Sequence, residues 1–229
     1  MKAKILETFQ SIQGEGLYAG VKQIFIRFFE CNMPCVWCDT PHSIGDTSAR
    51  YKEYTLDDLC SEIGRFDRDC HSVSITGGEP MLQKDFLKMF LPRIRATGMK
   101  SYLETNGIFH EELRDIIDNV DIIAMDIKLP SSTKCKAYWH EHEEFLKIAA
   151  NAETFIKTVV SSDTDSADIE KAVELVARIS RQTPLILQPN TYELSNGVMK
   201  KCLAFHDYAL QYLPNARVMT QMHKQMKLR

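Results

Sequence analysis

The chain has 229 residues, 44% hydrophobic and 26% charged, enough for one sizeable core and short for two, so a single domain over 1–229 is expected. The formal net charge of −3, with both signs interspersed, excludes the broad basic field of a nucleic-acid binder and favours small-molecule partners. The start MKAKILETFQ lacks the apolar run of a signal peptide and no stretch approaches the ~20 apolar residues of a membrane span, so a cytoplasmic protein without membrane contact is expected.

In chain order, strand-like runs of β-branched and aromatic residues alternate with amphipathic stretches. A strand over 22–29 precedes a cysteine-rich loop, and a helix over 55–65 opens with a capping-box start at Thr55. Strands over 71–76, 101–105, 120–127, 153–160 and 183–188 follow, with helices over 84–96, 111–119, 165–181 and 197–213. The helix over 165–181 places Ile169, Val173, Val176 and Ala177 on one face. YWHEHEEF, Tyr138 to Phe145, reads as a solvated helix face, because His140 and His142 at i and i+2 do not share a side and make a poor metal pair. This alternation implies βαβ units and a parallel sheet. A complete eight-unit barrel uses ~250 residues, and about six units are present here, so the expected fold is α/β, an incomplete (open) parallel β/α barrel. The polar and glycine-rich segments TGGEP, ETNG, DIKLP and LQPNT all follow strands, as does the cysteine loop, so they converge on the face where such folds bind ligands.

Cys31, Cys35 and Cys38 lie within eight residues, in a chain with seven cysteines. An odd count in a tight cluster fits a reducing compartment and a metal or redox role better than a disulfide framework. Three thiolates can hold three irons of a [4Fe–4S] cluster and leave the fourth open, as a catalytic centre needs. A zinc site completed by Asp39 or His42, in a structural or adaptor protein, is the alternative from another class. Cys60, Cys70, Cys135 and Cys202 read as ordinary small thiols.

The spacing C-x₃-C-x₂-C is similar to the signature of radical S-adenosylmethionine (SAM) enzymes, with Trp37 at the adenine-contacting position, and TGGEP at Thr76 to Pro80 resembles their Gly-Gly-Glu motif, which receives the methionine amino group. The stretches ETFQSIQGEG, FIRFFECN, CDTPHS, LETNG, MDIKLPSS, LILQP and ARVMTQMHK together resemble the 7-carboxy-7-deazaguanine synthase family from about Leu6 to Lys224. The resemblance implies a radical SAM barrel that contracts the ring of 6-carboxy-5,6,7,8-tetrahydropterin and releases ammonia, in 7-deazapurine (queuosine-type) biosynthesis. It implies a [4Fe–4S] cluster on Cys31, Cys35 and Cys38, SAM, and Mg²⁺ held by Thr40. It places SAM against Trp37, Cys38, Asp39, Gly78, Glu79, Asp126, Ile127, Lys128, Gln188, Pro189 and Asn190. It places the pterin against Ile12, Gln13, Gly14, Arg27 and Thr76, with Glu104 and Asn106 as further candidates at the mouth. An electron donor such as flavodoxin or ferredoxin and a homodimer are the expected partners.

Beside the resemblance, a pterin needs amide-type groups and a cation. Gln13 with the backbone of Ile12 and Gly14 offers the first, and Arg27 offers a planar fork for its carboxylate. Gly14 and Gly16 would let the chain approach the ligand closely; the plainer readings are a tight turn for this stretch and a surface ion pair for Arg27. Met219, Met222 and Met226 are expected to pack on the sheet or a dimer partner, and Lys224 to Arg229 to form a solvated tail. A glycyl-radical-enzyme activase, which shares the cysteine spacing and the Gly-Gly-Glu motif, is the second enzymatic reading.

Overall fold

A computed structural model of the chain describes residues 1–45 and 50–228. Among the described residues nine strands form one sheet: β1 Lys2–Ile12, β2 Lys22–Phe28, β3 Lys52–Thr55, β4 Ser72–Gly77, β5 Lys100–Thr105, β6 Ile122–Asp126, β7 Glu153–Val160, β8 Leu185–Pro189 and β9 Ala216–Val218. Their order is β3-β1-β2-β4-β5-β6-β7-β8-β9. Every pairing from β2 through β9 is parallel, and β1 alone runs against both of its neighbours. The sheet does not close, as the count of about six βα units implied. All six expected strands are present. Sequence reading missed β1, whose charges and amides interrupt its apolar positions, and β3 and β9, which are short edge strands of four and three residues.

The helices are α1 Leu56–Ile63, α2 Lys84–Ala96, α3 His110–Arg114, α4 Pro130–Thr133, α5 Trp139–Ala149, α6 Ser166–Ile179, α7 Val198–Ala209 and α8 Met222–Met226. Among the described residues none is long and apolar enough to cross a membrane. Thr55 caps α1 as expected, its side chain accepting from the Asp58 N–H while the Asp58 side chain accepts from the Thr55 N–H. The helix expected over 111–119 instead breaks into α3 and a 3₁₀ turn, Ile117–Asn119.

Alternation along the strands sorts side chains onto two faces. Leu103, Ile123, Met125, Ile156, Leu185 and Leu187 join the large core under the helices. Their neighbours Tyr102, Ile122, Ala124, Phe155 and Ile186 form a small cluster on the other, inner face, partly covered by Leu17, Tyr18 and Met219. The strand ends above that small cluster are where polar side chains collect.

Helix α5 corrects the reading of YWHEHEEF. His142, Phe145, Leu146 and Ala149 are buried, a stripe at i, i+3, i+4 and i+7 that packs toward the core, while His140 and Lys147 on other sides are exposed. Phe145→Ala is expected to cost ~3–5 kcal/mol of unfolding free energy, read from the urea midpoint, whereas a solvated helix would lose almost nothing.

Candidate active site

The three cysteines sit on the loop after β2, and all three line one cavity at the C-terminal ends of the strands. The loop is tied down along its length. Cys31 N–H donates to Ile44 O at 3.2 Å, Val36 N–H to Thr133 O at 3.2 Å, and Cys38 N–H to Cys35 O at 3.1 Å. Trp37 Nε1 donates to Ser132 Oγ at 2.9 Å, and Lys128 Nζ lies 4.9 Å from the centre of the Trp37 ring. Burial pushes the Cys31 thiol up to about 11 and the Cys35 thiol up to about 12, so both carry protons until a metal displaces them.

Among the described residues the potential ligand set gathered within 4.8 Å is Glu15, Asp39 and His223, without the thiols. The three sulfurs are therefore not all within 4.8 Å of one another, wider than a single zinc ion with Zn–S bonds of about 2.3 Å would hold them. Asp39 instead accepts from Gln221 Nε2 at 3.1 Å, and His42 is exposed.

TGGEP leaves β4 beside the cysteine loop. Gly78 N–H donates to Phe28 O at 3.1 Å and Glu79 N–H to Glu30 O at 2.8 Å. A Cβ on Gly78 would lie 2.1 Å from Glu30 O, so the two backbones run together only because that atom is missing. Glu79 is fully buried and accepts from Met81 N–H at 3.0 Å, Thr105 Oγ1 at 2.8 Å and Asn106 N–H at 2.8 Å. Burial still outweighs these bonds and raises its pKa to about 7.

From the remaining strand ends Asp126, Lys128, Gln188 and Asn190 reach the cavity. Lys128 Nζ pairs with Asp126 Oδ2 at 2.8 Å. Asp126 Oδ1 and Gln188 Oε1 are buried without a partner, two acceptors lining a cavity, which fit a ligand carrying hydroxyl and amino donors. Ile127, Pro189 and the fully buried Glu79 do not line the cavity. Alternation turns the Ile127 side chain into the main core, and its N–H is taken by Lys157 O at 2.9 Å.

The other end of the cavity is built on β1, β2, β4, β5 and β7. Arg27 and Thr76 are register partners on β2 and β4, and both line the cavity with Ile12, Gln13, Gly14 and Thr40. Arg27 Nε pairs with Glu7 Oε1 at 2.8 Å, a mostly buried ion pair, not a surface one. The Gln13 amide is spent within the protein: Nε2 donates to Gln23 Oε1 at 3.0 Å and Glu104 Oε1 at 2.8 Å, and Oε1 accepts from Glu15 N–H at 3.0 Å. It holds the Glu104 carboxylate, which also accepts from Thr76 Oγ1 at 2.9 Å. Thr40 Oγ1 lies 3.9 Å from Cys38 Sγ, between the cysteines and this polar end.

A model of the radical SAM superfamily matches residues 25–176. The 7-carboxy-7-deazaguanine synthase of Geobacter sulfurreducens is 38% identical over 98% of this chain and 97% of its own length. That of Methanothermobacter thermautotrophicus is 33% identical over 100% of this chain and 99% of its own. The chain belongs to the 7-carboxy-7-deazaguanine synthase family of the radical SAM superfamily. The crystal structure of QueE from Escherichia coli superposes with a TM-score of 0.69 at 25% identity, covering 97% of this chain and 95% of that one. Membership brings the [4Fe–4S] cluster and SAM as cofactors, and the spread of the thiols and the two orphaned acceptors are compatible with both.

In this member of the 7-carboxy-7-deazaguanine synthase family, the C-terminal segment runs along the cavity, which Gln221 and His223 help to line. Met222 N–H donates to Gly14 O at 2.9 Å, and Gln221 Nε2 donates to Glu15 Oε1 at 2.6 Å while its Oε1 accepts from Thr191 Oγ1 at 2.5 Å. A Cβ on Gly14 would lie 2.1 Å from His223 Nδ1, and one on Gly16 2.3 Å from the Phe155 ring, so these glycines admit protein side chains rather than a ligand. Lys224, expected at the start of a solvated tail, sits 3.6 Å from Asp39; Arg229 lies outside the described residues. Met219 packs on the inner face as expected, whereas Met226 is exposed.

Sequence reading passed over Lys157 and Glu15. Lys157 projects from β7 into the cavity, hydrogen-bonded to Glu15 and 3.7 Å from Asp126; the lone lysine inside the apolar run ETFIKTVV was the available signal, as Arg27 was in β2. Burial pushes the Glu15 carboxyl upward, but Lys157 and Gln221 overcome it and hold its pKa at about 2. A carboxylate so depressed stabilises the fold above its ordinary 4.5 and loses that contribution as pH falls from there toward 2. Glu15→Gln is therefore expected to be less stable than the parent at pH 7, with the gap narrowing by pH 3, as measured by urea midpoints across that range.

Proposed function

We propose that this chain performs the reaction its relatives are named for, converting 6-carboxy-5,6,7,8-tetrahydropterin to 7-carboxy-7-deazaguanine with loss of ammonia, in the supply of a queuosine-type 7-deazapurine. The observation that carries this reading is the match to curated synthases over the full chain, 38% identical to the Geobacter sulfurreducens enzyme. Cys31, Cys35 and Cys38 would hold the cluster, which when bound would supply the one-electron reduction that SAM cleavage needs.

The chain's own groups divide the cavity. Glu79 receives the SAM ammonium, and Asp126 Oδ1 and Gln188 Oε1 accept from its hydroxyl and amino groups. Trp37 and Lys128 wall the same end. Toward the other end, Arg27 and Lys157 supply positive charge for the pterin carboxylate. The Glu104 carboxylate, already fixed by Gln13 and Thr76, has lone pairs left for the adjacent N–H donors of an aminopyrimidinone. Thr40 offers a hydroxyl to Mg²⁺, a cation that often keeps water and substrate oxygens as its remaining ligands. The segment ending at His223 screens this end from water.

A one-electron donor of the flavodoxin or ferredoxin type, a cytoplasmic setting and a homodimer complete the proposal. The activase reading loses support from the C-terminal segment, because a protein loop would have to displace Gln221 and Met222 to enter.

The test is anaerobic turnover of the iron- and sulfide-reconstituted protein with dithionite, SAM, Mg²⁺ and the pterin, followed by mass. Formation of the deazaguanine with little net consumption of SAM is expected; SAM cleavage with the pterin intact would overturn the substrate assignment. Cys35→Ala is expected to lose both cluster and activity, and Cys60→Ala neither. Thr40→Val is expected to lose most of the rate together with its dependence on magnesium. Because the ionised form of Glu79 must receive the ammonium, SAM affinity is expected to weaken as pH falls below about 7, by up to about tenfold per unit, measured by equilibrium dialysis.

A further inference from the structure

Helix α5 carries a buried histidine with no part in the chemistry described so far. His142 has no exposed surface, and its Nε2 lies 3.1 Å from the backbone carbonyl oxygen of Asn106. A carbonyl can only accept, so Nε2 carries the proton and donates. Nδ1 is then the bare nitrogen, and it is buried without a partner. Burial keeps the ring neutral by pushing its pKa down to about 4.

Asn106 stands at a crossing point. Its N–H donates to Glu79 Oε2 at 2.8 Å, and its Nδ2 donates to Asn32 Oδ1, next to Cys31, also at 2.8 Å. One residue therefore touches both the carboxylate assigned to the SAM amine and the loop assigned to the cluster. Nothing helical supports it: β5 ends at Thr105, Gly107 turns the chain at φ +68°, and the N–H of the Asn106–Gly107 peptide makes only a long bond, 3.3 Å, to Thr105 Oγ1. Among the described residues His142 is the hydrogen-bond partner of that peptide's carbonyl.

We propose that His142 is a positioning residue for the SAM site, clamping the Asn106–Gly107 peptide so that Asn106 stays aimed at Glu79 and at Asn32. The inference rests on Glu79 as the acceptor of the SAM amine. An imidazole serves here because it places a neutral donor far from its own backbone inside an apolar helix packing, where a lysine or arginine would bring an uncompensated charge. The cost is one unpartnered nitrogen, Nδ1. The helix thus does more than cover the sheet, since it sets the geometry of a loop that it approaches from the outside.

The experiment compares His142→Phe, which fills the space without a donor, and His142→Gln, whose amide can reach the same carbonyl, with Glu79→Gln as control. Each protein is reconstituted anaerobically; iron and sulfide content, thermal midpoint, SAM and pterin binding by equilibrium dialysis, and the change in the EPR spectrum of the reduced cluster on adding SAM are measured. His142→Phe is expected to keep a full cluster and its pterin affinity, to weaken SAM binding about tenfold, as removing supports behind binding groups commonly does, and to reduce the SAM-induced spectral change. His142→Gln is expected to recover most of both. Unchanged SAM binding in His142→Phe, or equal weakening of SAM and pterin binding, would overturn the positioning role. Should His142→Phe not fold, His142→Asn, smaller and with an amide too short to reach Asn106, replaces it under the same criteria. Glu79→Gln binding SAM like the parent would overturn the Glu79 assignment itself, and the positioning role with it.

Discussion

Charges on the inner face of this sheet must answer one another, because little water reaches them. Placing an isolated ion in such a site costs several kcal/mol, and only a close partner with further hydrogen bonds offsets it. Lys157 satisfies that demand from the middle of β7, between Glu15 on the N-terminal loop and Asp126 at the end of β6. Lys128 shares Asp126 from the other side, and Arg27 pairs with Glu7 across β1 and β2. The Lys157 and Arg27 pairs tie together different strands and loops, so the electrostatics of the cavity and the assembly of the sheet are one problem.

The charge network also explains how the C-terminal segment is held along the cavity. Glu15, held ionised by Lys157, becomes the acceptor that fastens Gln221, and Gln221 bridges on to Asp39 and Thr191. The C-terminal segment is thus anchored through polar contacts to the cysteine loop, the N-terminal loop and the end of β8 together. Gly14 provides the space in which His223 lies. An attachment built from a few hydrogen bonds, with little apolar burial, belongs to the low-stability end of a structure, where elements that must open are found.

On the opposite side of the cavity the constraint is steric before it is electrostatic. Gly78 allows the β4 loop to lie against the backbone of Phe28 to Glu30, and that contact carries Glu79 under the cysteine loop. Three donors then hold a carboxylate whose pKa burial still raises to about 7. Asn106 supplies one of those donors and is itself held from outside the sheet by His142, so helix packing on one face reaches the polar loops on the other.

Local chemistry and periodicity made much of this legible in the sequence. The spacing of Cys31, Cys35 and Cys38, the glycines before Glu79, the six apolar strand runs and the polar segments after them depend on residue types a few positions apart, and they led to the open barrel and to most of the cavity. Arg27 was visible for the same reason, as a charge within an apolar strand. What only the tertiary structure decided involves groups separated by about ninety residues or more: Lys157 against Glu15, Gln221 against both Glu15 and Asp39, and the Gln13 amide turned onto Glu104 instead of outward. The burial of His142 was likewise decided by what α5 packs against. Two histidines at i and i+2 must point to different sides of a helix, but only the neighbouring elements determine which of those sides is the core.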